Sequence, residues 1–340
     1  MKLEDFVYEL PERLIAQTPV EPRDASRLLV LHREDGRLEH RHFYDLPEYL
    51  EAGDVMVVNR TKVLPARLWA HRETGAVIEV LLVQQVDLHH WKVLVRPGRK
   101  ARPGTRLLFA EGLLDAEVEA VVEEGMRLVR FEYEGNFLEI LDRLGTMPLP
   151  PYIHEQLRDQ SRYQCVYAKD PGSAAAPTAG LHFTENLLER IRAKGVAIAE
   201  VLLNVGLGTF RPVKVENIEE HQMHSEYYAV NEETAELINS RRAAGGRIVS
   251  IGTTSTRTLE TVSSEDGLVH PGSGWTQKFI YPGYHYKAVD ALVTNFHLPG
   301  STLMMLVSAF ASREQIMAVY QTAVSEEYRF FSFGDAMLIL

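Results

Sequence analysis

The chain is poor in the residues on which disulfide, metal-cage and membrane architectures depend. Its 340 residues include a single cysteine, Cys165, which excludes an internal disulfide and a cysteine-rich zinc or iron–sulfur cage. No run of eighteen apolar residues occurs, which excludes a typical transmembrane helix. Residues 1–5 include Glu4 and Asp5 where a signal peptide has a basic segment followed by an apolar one. We therefore expect a soluble, cytoplasmic protein in which Cys165 is a packing residue.

Positive charge is scarce over the whole chain but is concentrated in one stretch. The formal net charge is −11, yet residues 60–106 contain ten Lys and Arg and only three acids. A basic segment in an acidic protein is typical of a local phosphate-binding surface, although a solvated barrel face is the commoner cause of such a run. The charge alone leaves both interpretations open.

The apolar pattern divides the chain into two regions. Between residues 63 and 147, short β-rich runs alternate with Gly and Pro turns, which predicts an antiparallel barrel or sandwich. After residue 150, strand–loop–helix units of an α/β fold follow one another. A length of 340 residues is sufficient for two such domains.

Loops of small and polar residues follow the predicted strands of the α/β region. Residues 171–183 combine two prolines, two glycines and four alanines with one Ser, one Thr and one His, and a helix capped by Thr184 is predicted next. Predicted strands at 196–203, 247–251 and 289–293 also end at loops rich in Gly, Thr or Asn. Because the carboxyl ends of parallel strands share one sheet edge, these loops are expected to converge on a ligand.

Residues 220–226 hold the densest group of titratable side chains, which includes His221, His224 and Glu226. If the segment were helical, the two histidines would share a face and could bind a metal ion. Without a metal, His224 and Glu226 form a candidate acid–base pair. A hydrogen-bonded surface cluster is the third interpretation.

The glycine pair Gly206 and Gly208 invites comparison with a dinucleotide-binding loop. Arg211 occupies the sixth position of that motif, where Gly or Ala is needed, and no helix clearly follows. The two glycines therefore remain candidates for close backbone approach to a different ligand.

Eight segments, in this order, resemble the S-adenosylmethionine:tRNA ribosyltransferase-isomerase family of queuosine biosynthesis: residues 23–29, 59–68, 171–184, 205–213, 220–226, 252–260, 290–311 and 328–339. The resemblance covers essentially the whole chain. Three positions depart from the family pattern, with Cys165 in place of Thr, Ala174 in place of Val and Asn204 in place of His. The last departure speaks against an obligatory proton carrier at residue 204.

The resemblance implies an α/β fold in which a three-layer α/β domain, residues 1–62 and 148–340, is interrupted by an inserted antiparallel β-barrel domain, residues 63–147. It implies that S-adenosylmethionine is consumed as a ribosyl donor and that no metal or redox cofactor takes part. The acceptor would be 7-aminomethyl-7-deazaguanine at the wobble position of tRNA, and the products epoxyqueuosine-tRNA, adenine and methionine. A monomer without membrane association is expected.

Site residues follow from this chemistry and from the matching motifs. A base must remove a proton beside the sulfonium, and Glu226 or His224 is the candidate; adenine must be protonated as it leaves, and His182 or His297 is the candidate. The predicted lining of the nucleoside pocket is Thr178, Gly180, Gly206, Gly208, Thr209, Thr253, Thr254 and Asn295. Candidate aromatic platforms for the modified base are Phe183, Phe210 and Phe296. Predicted tRNA phosphate contacts are Arg60, Lys62, Arg67, Arg99, Lys100 and Arg102.

Two other function classes remain as alternatives. A metal-dependent hydrolase would use His221, His224 and Glu226 as its ligands and base. A non-catalytic RNA-binding protein would use the basic segment, and its small-residue loops would be structural.

Overall fold

The computed structural model describes the chain apart from Glu111, Gln156, Leu207, Thr209, Phe210, Arg211 and the side chain of Glu124. The described residues form two compact units. The larger consists of Met1–Lys62, Pro151–Asp170 and Ala176–Leu340, and the smaller of Val63–Pro150 and Pro171–Ala175. Within the described residues, every helix is too short or too polar to cross a membrane.

The strands, in chain order, are β1 (Arg27–Leu31), β2 (Leu38–His42), β3 (Val55–Asn59), β4 (Thr61–Val63), β5 (Arg67–His71), β6 (Val77–Gln85), β7 (His90–Arg96), β8 (Arg106–Ala110), β9 (Leu114–Val121), β10 (Arg127–Glu132), β11 (Asp170–Ser173), β12 (Ala197–Leu203), β13 (Glu226–Val230), β14 (Ile248–Ile251), β15 (Gly272–Thr276), β16 (Ala291–Asn295) and β17 (Ala336–Ile339). The α-helices are α1 (Phe137–Leu144), α2 (Glu185–Ala193), α3 (Glu232–Ala243), α4 (Gly252–Val262), α5 (Thr302–Phe310) and α6 (Arg313–Ser325).

Short 3₁₀ helices cover Leu3–Phe6, Glu12–Leu14, Arg23–Ala25, Phe43–Tyr49, Gly98–Lys100, Glu123–Gly125, Gln160–Tyr163, Thr178–His182 and Ile218–Glu220. One of them lies within the loop at residues 171–183 that the sequence singles out.

The larger unit is built on a sheet in the order β15-β13-β12-β3-β14-β16-β17-β1-β2. The central strands β12, β3, β14 and β16 run parallel, and antiparallel strands flank them. In β3, Val55 and Val57 pack into an apolar cluster with residues of α3, α5 and α6, whereas Met56 and Val58 are equally buried on the opposite face. Burial on both faces is what a three-layer α/β arrangement requires, and it explains the continuous apolar runs of these strands.

The smaller unit contains a closed antiparallel barrel in the order β10-β7-β6-β5-β8-β9. Alternate residues of its strands are buried, as Ile78, Val80 and Leu82 are in β6. Buried side chains of α1 join the same apolar core. The predicted fold class, an α/β domain with an inserted antiparallel β-barrel, is confirmed, and the structure decides the open choice between barrel and sandwich.

Two local predictions are wrong. The residue pattern predicts a helix from Glu12 to Gln17, but the structure has a single 3₁₀ turn there, Glu12–Leu14. The pattern also predicts strand on both sides of Cys165, where the structure has turns. Cys165 is buried, and burial raises the pKa of its thiol to about 12, which agrees with a packing role.

Candidate active site

Polar residues collect at the carboxyl ends of the parallel strands. Asn59 ends β3, Asn204 follows β12, Gly252 follows β14 and Asn295 ends β16. The side chain of Asn59 donates to the Leu203 carbonyl at 2.9 Å and accepts from the Leu203 amide at 3.0 Å, so it joins the ends of β3 and β12. In the sheet, β12 lies on one side of β3 and β14, which comes later in the chain, lies on the other side. The strand order therefore reverses direction at β3, and open α/β sheets bind ligands at the carboxyl ends of strands where this happens.

The first turns of α4 form the centre of this edge. Gly252 has a φ of +82°, a conformation that favours glycine, and a Cβ there would lie 3.4 Å from the Cβ of Ala179 in the 3₁₀ helix Thr178–His182. Residue Ile251 gives α4 no side-chain cap. Thr253 is buried, and the hydroxyl oxygen of Thr254 is buried without a hydrogen-bond partner in the described structure.

Glu226 lies at the start of β13 and is 2% exposed. One carboxylate oxygen accepts from the Gly206 amide at 2.8 Å and lies 3.2 Å from Nε2 of His224, while the other accepts from Nη1 of Arg257. Burial acts to raise the pKa of Glu226, but the charge of Arg257, followed by His224 and the Gly206 amide, lowers it below its usual value. The carboxylate is therefore ionised at neutral pH.

The two glycines before this cluster have different neighbours. A Cβ at residue 208 would lie 2.6 Å from Cγ of His224 and 2.9 Å from its Nδ1, so only glycine leaves the ring unobstructed. Among the described residues, a Cβ at residue 206 would meet only the Glu226 carboxylate, at 3.8 Å. The predicted pocket residue Thr209 lies outside the described residues.

His182 is buried and bonded at both ring nitrogens. The side-chain amide of Asn295 donates to the Phe331 carbonyl at 3.0 Å, which fixes its orientation, and the same nitrogen lies 3.1 Å from Nε2 of His182. Nε2 therefore accepts, and Nδ1–H donates to the Ser26 hydroxyl at 2.7 Å. The ring also stacks on Phe43 at a centroid distance of 4.8 Å. Burial, followed by the charges of Arg329 and Arg23, lowers the pKa of His182 to about 3.

His297 has a similar environment. Its Nε2 lies 3.0 Å from the Thr294 hydroxyl and its Nδ1 lies 3.1 Å from the Tyr320 hydroxyl, which also accepts from the His297 amide. Burial lowers the pKa of His297 to about 3. Both histidines are neutral at pH 7 and fully bonded, so the structure does not favour either as the acid that protonates adenine.

The other predicted pocket residues differ in whether packing already occupies them. A Cβ at Gly180 would lie 2.1 Å from the Tyr167 hydroxyl and 2.6 Å from Sγ of Cys165, so this glycine is required by packing. Thr178 is half-buried at the start of its 3₁₀ helix. The carboxamide oxygen of Asn295 is buried and has no hydrogen-bond partner in the described part of the chain, which leaves one acceptor for a ligand.

The aromatic candidates are core residues where the structure describes them. Phe183 is fully buried and packs edge-on against Phe43, and Phe296 is 1% exposed among Tyr320, Tyr328 and other rings. Neither offers a free ring face to a base. Phe210 lies outside the described residues.

No group of three or more His, Cys, Asp or Glu side chains in the described structure is placed to hold a metal ion. Residues 221–225 are not helical, so His221 and His224 do not share a helix face. His221 packs against the ring of Phe279 at 5.3 Å. The metal-dependent hydrolase is therefore not favoured.

The predicted phosphate contacts separate into paired and free cations. Arg60 pairs with Asp170 at 2.6 Å in the larger unit, and Arg67 pairs with Glu79 at 3.0 Å in the smaller. Lys62 is exposed. Among the predicted contacts in the barrel, three form no ion pair with a described residue: Arg99, Lys100 and Arg102. Arg127 supports their loop by donating to the carbonyls of Ala101 and Gly98.

Arg257 is not among the residues predicted from the sequence. The sequence feature that could have indicated it is the composition of α4, Gly-Thr-Thr-Ser-Thr-Arg-Thr-Leu-Glu-Thr-Val. Eight of its eleven residues are buried, although most residues of the helix are polar. A polar helix that is buried against a sheet needs partners for its polar groups. That pattern marks Arg257 as part of a site.

Known proteins similar to this chain match it from end to end. The queuosine biosynthesis protein family matches residues 3–339. The S-adenosylmethionine:tRNA ribosyltransferase-isomerases of Moorella thermoacetica and Symbiobacterium thermophilum are 63% and 62% identical, and each alignment covers 100% of both chains. A crystal structure of S-adenosylmethionine tRNA ribosyltransferase from Thermotoga maritima is 45% identical, with a TM-score of 0.56 and coverage of 99% of this chain and 100% of that chain. The resemblance predicted from the motifs is confirmed: the chain belongs to the queuosine biosynthesis protein family.

Proposed function

We propose that the protein transfers and isomerises the ribosyl group of S-adenosylmethionine onto 7-aminomethyl-7-deazaguanine at the wobble position of tRNA. The products are epoxyqueuosine-tRNA, adenine and methionine. The observation that carries this proposal is the identity of 62–63% to enzymes named for this activity, along the full length of the chain. The proposed scheme uses S-adenosylmethionine as a consumed co-substrate, requires no further cofactor, and places a monomer in the cytoplasm with its tRNA.

The base in this scheme is His224. Glu226 accepts from the Gly206 amide and from Arg257, and its lowered pKa makes it a weak proton acceptor, which leaves His224 as the other member of the candidate pair. The Glu226 carboxylate lies 3.2 Å from Nε2 of His224 and would stabilise the imidazolium that forms. Nδ1 is then the accepting atom, and a Cβ at residue 208 would obstruct it at 2.9 Å.

Adenine departure is assisted from the edge formed by β14 and β16. The free carboxamide oxygen of Asn295 and the free hydroxyl of Thr254 can bind polar hydrogens of the nucleoside, and this supports their role as pocket residues. Thr178, Thr253, Gly206 and Thr209 remain proposed neighbours on the strength of their motifs. His182 positions Asn295 rather than transferring a proton.

Unpaired barrel cations are the better candidates for tRNA phosphate binding. Arg99 and Arg102 are exposed and Lys100 is half-buried, and their loop is fixed by Arg127. Lys62 is proposed with them, whereas Arg60 and Arg67 are already neutralised by carboxylates. Each phosphate contact in such a surface adds to the salt dependence of binding.

The test is incubation of the purified chain with S-adenosylmethionine and precursor tRNA carrying 7-aminomethyl-7-deazaguanine. Adenine release is measured by chromatography, and epoxyqueuosine is measured by mass spectrometry of digested tRNA. We expect equal amounts of both products. The same tRNA with guanine at the wobble position is the matched control and should release no adenine.

Absence of adenine release from the precursor tRNA would refute the proposed function. Adenine release without epoxyqueuosine would contradict ribosyl transfer. A hydrolase acting through His221, His224 and Glu226 would instead lose its activity in the presence of a chelator.

A further inference from the structure

Arg257 carries a buried positive charge that the protein satisfies only in part. The residue is 4% exposed, and its single acidic partner in the described structure is Glu226, which is bound through Nη1. Nε and Nη2 of Arg257 are also buried, and neither has a hydrogen-bond partner among the described residues. Buried donors without acceptors are rare because each costs the free energy of its lost hydration.

The two free donors form one edge of the guanidinium group. A guanidinium can present Nε–H and one Nη2–H side by side, and this fork matches the two oxygens of a carboxylate. Glu226 holds the opposite corner of the group through Nη1, so the free edge has a fixed orientation. The geometry is that of a receptor for a planar oxyanion.

The start of α4 adds to the same anion-binding character. Thr253 and Thr254 precede Arg257 by four and three residues and therefore lie on its face of the helix. The helix has no side-chain cap, so its first amide groups and positive dipole end are available. The unpartnered hydroxyl of Thr254 is a further donor.

We propose that Arg257 binds the carboxylate of the methionine part of S-adenosylmethionine through its Nε/Nη2 edge. This inference rests on the proposed function. The carboxylate is the only anionic group of that substrate, whose sulfonium and ammonium groups are cationic. Binding it beside Glu226 places the sulfonium near an ionised carboxylate and close to His224. Arg257 thus positions the carbon from which His224 removes a proton.

A tRNA phosphate is the other oxyanion that could occupy this edge. Arg257 is almost completely buried, which favours a small ligand that can enter a pocket over a polymer backbone. The two sources differ experimentally, because decarboxylated S-adenosylmethionine lacks the carboxylate but keeps the sulfonium, the ribose and the adenine.

The experiment measures kcat/KM for adenine release, with saturating precursor tRNA, for S-adenosylmethionine and its decarboxylated analogue. For the unaltered chain we expect the analogue to be about ten- to a hundredfold poorer, the range for a hydrogen-bonded charge. In Arg257→Gln the ratio of kcat/KM for S-adenosylmethionine to kcat/KM for the decarboxylated analogue should fall to nearly one, because neither substrate can then bind Arg257 through a carboxylate. Arg257→Lys keeps the charge for Glu226 but not the fork, and should give an intermediate ratio.

The matched control is Arg313→Gln, which removes a half-exposed arginine of α6 that pairs with Asp5 and Glu314. It should retain the ratio of the unaltered chain. If Arg257→Gln fails to fold, as judged by circular dichroism, Arg257→Lys and the double variant Glu226→Gln/Arg257→Gln provide the same comparison without an unpaired buried carboxylate.

An unchanged substrate ratio in the folded Arg257 variants overturns the proposal. If those variants instead weaken tRNA binding and leave the ratio unchanged, the oxyanion is a phosphate and the proposal is also overturned. Either result leaves the proposed function intact as long as the unaltered chain releases adenine. A chain that does not turn over S-adenosylmethionine at all refutes the proposed function itself.

Discussion

The buried, neutral state of His182 predicts a specific loss of stability in acid. The pKa of His182 is lowered to about 3 in the folded protein, whereas an unperturbed histidine has a pKa of about 6.5. Between these values the unfolded chain binds a proton that the folded chain does not, so stability falls as the pH falls through this window. The slope is about 1.4 kcal/mol per pH unit, or about 2 kcal/mol between pH 7 and pH 5.

The perturbation is His182→Phe, which retains a ring against Phe43 but removes the titrating group. At pH 7 the variant loses the hydrogen bonds to Ser26 and Asn295, and we expect it to be less stable by about 2–4 kcal/mol. At pH 5 the variant avoids the protonation cost. The difference between the two chains should therefore shrink by about 2 kcal/mol.

The assay is urea unfolding of both chains at pH 7, 6 and 5. The difference between the two free energies of unfolding at each pH cancels the contributions of the titrating groups that both chains share, including twelve further histidines. Val307→Ala is the matched control, because Val307 is fully buried in α5 and carries no ionisable group. Its destabilisation should not change with pH. A difference between the unaltered chain and His182→Phe that stays constant from pH 7 to pH 5 would refute the reasoning.

Three further predictions concern the site and the barrel. Gly208→Ala should lower adenine release at least about tenfold, because the added Cβ would lie 2.6 Å from Cγ of His224. Gly272→Ala is the control and should be active, because no described atom lies within 4 Å of a Cβ there; equal activities of the two variants contradict this prediction. Glu226→Gln should lower kcat at least about tenfold. It should also destabilise the fold by about 3–5 kcal/mol in urea unfolding, because Arg257 loses its buried acidic partner. Activity within twofold of that of the unaltered chain contradicts a role for Glu226 at the active site. Replacing the three predicted barrel cations that form no ion pair with Gln should weaken tRNA binding and flatten its salt dependence without changing the KM for S-adenosylmethionine. Arg130→Gln is the control, because Arg130 is paired with acids on the same barrel, and it should leave both the tRNA affinity and the salt dependence unchanged. An unchanged salt dependence in the triple variant contradicts phosphate binding by these cations. The substituted cations are Arg99, Lys100 and Arg102.

The elements of both units are well predicted where the residue pattern is local. The predicted strand 247–251 corresponds to β14, Ile248–Ile251, and the predicted helix capped by Thr184 corresponds to α2, Glu185–Ala193. These predictions succeed because strand burial, helix caps and Gly or Pro turns depend on neighbouring residues. The helix predicted from Glu12 to Gln17 is only one 3₁₀ turn long, and Leu14 within that turn is buried in the core.

The candidate site was accessible from the sequence only as a set of loops. Their convergence follows from the rule for parallel strands, but the roles within them do not. His182 and His297 have the composition of proton donors, yet burial keeps both neutral and their ring nitrogens are bonded. Phe183 has the composition of a stacking platform, yet it is a core residue. Burial is a property of the folded chain, and no local pattern reports it for a single side chain.

The sequence by itself determined the two regions, the places of most strands and helices, and the family, because periodicity and motif order are written along the chain. Tertiary structure alone decided which polar groups meet. Arg257 and Glu226 are 31 positions apart, and Asn295 and His182 are 113 apart. Such pairs form only where strand ends from distant parts of the chain reach the same edge of the sheet. Burial then fixes the charge of each group, and so decides which side chains can act on a substrate and which support the fold.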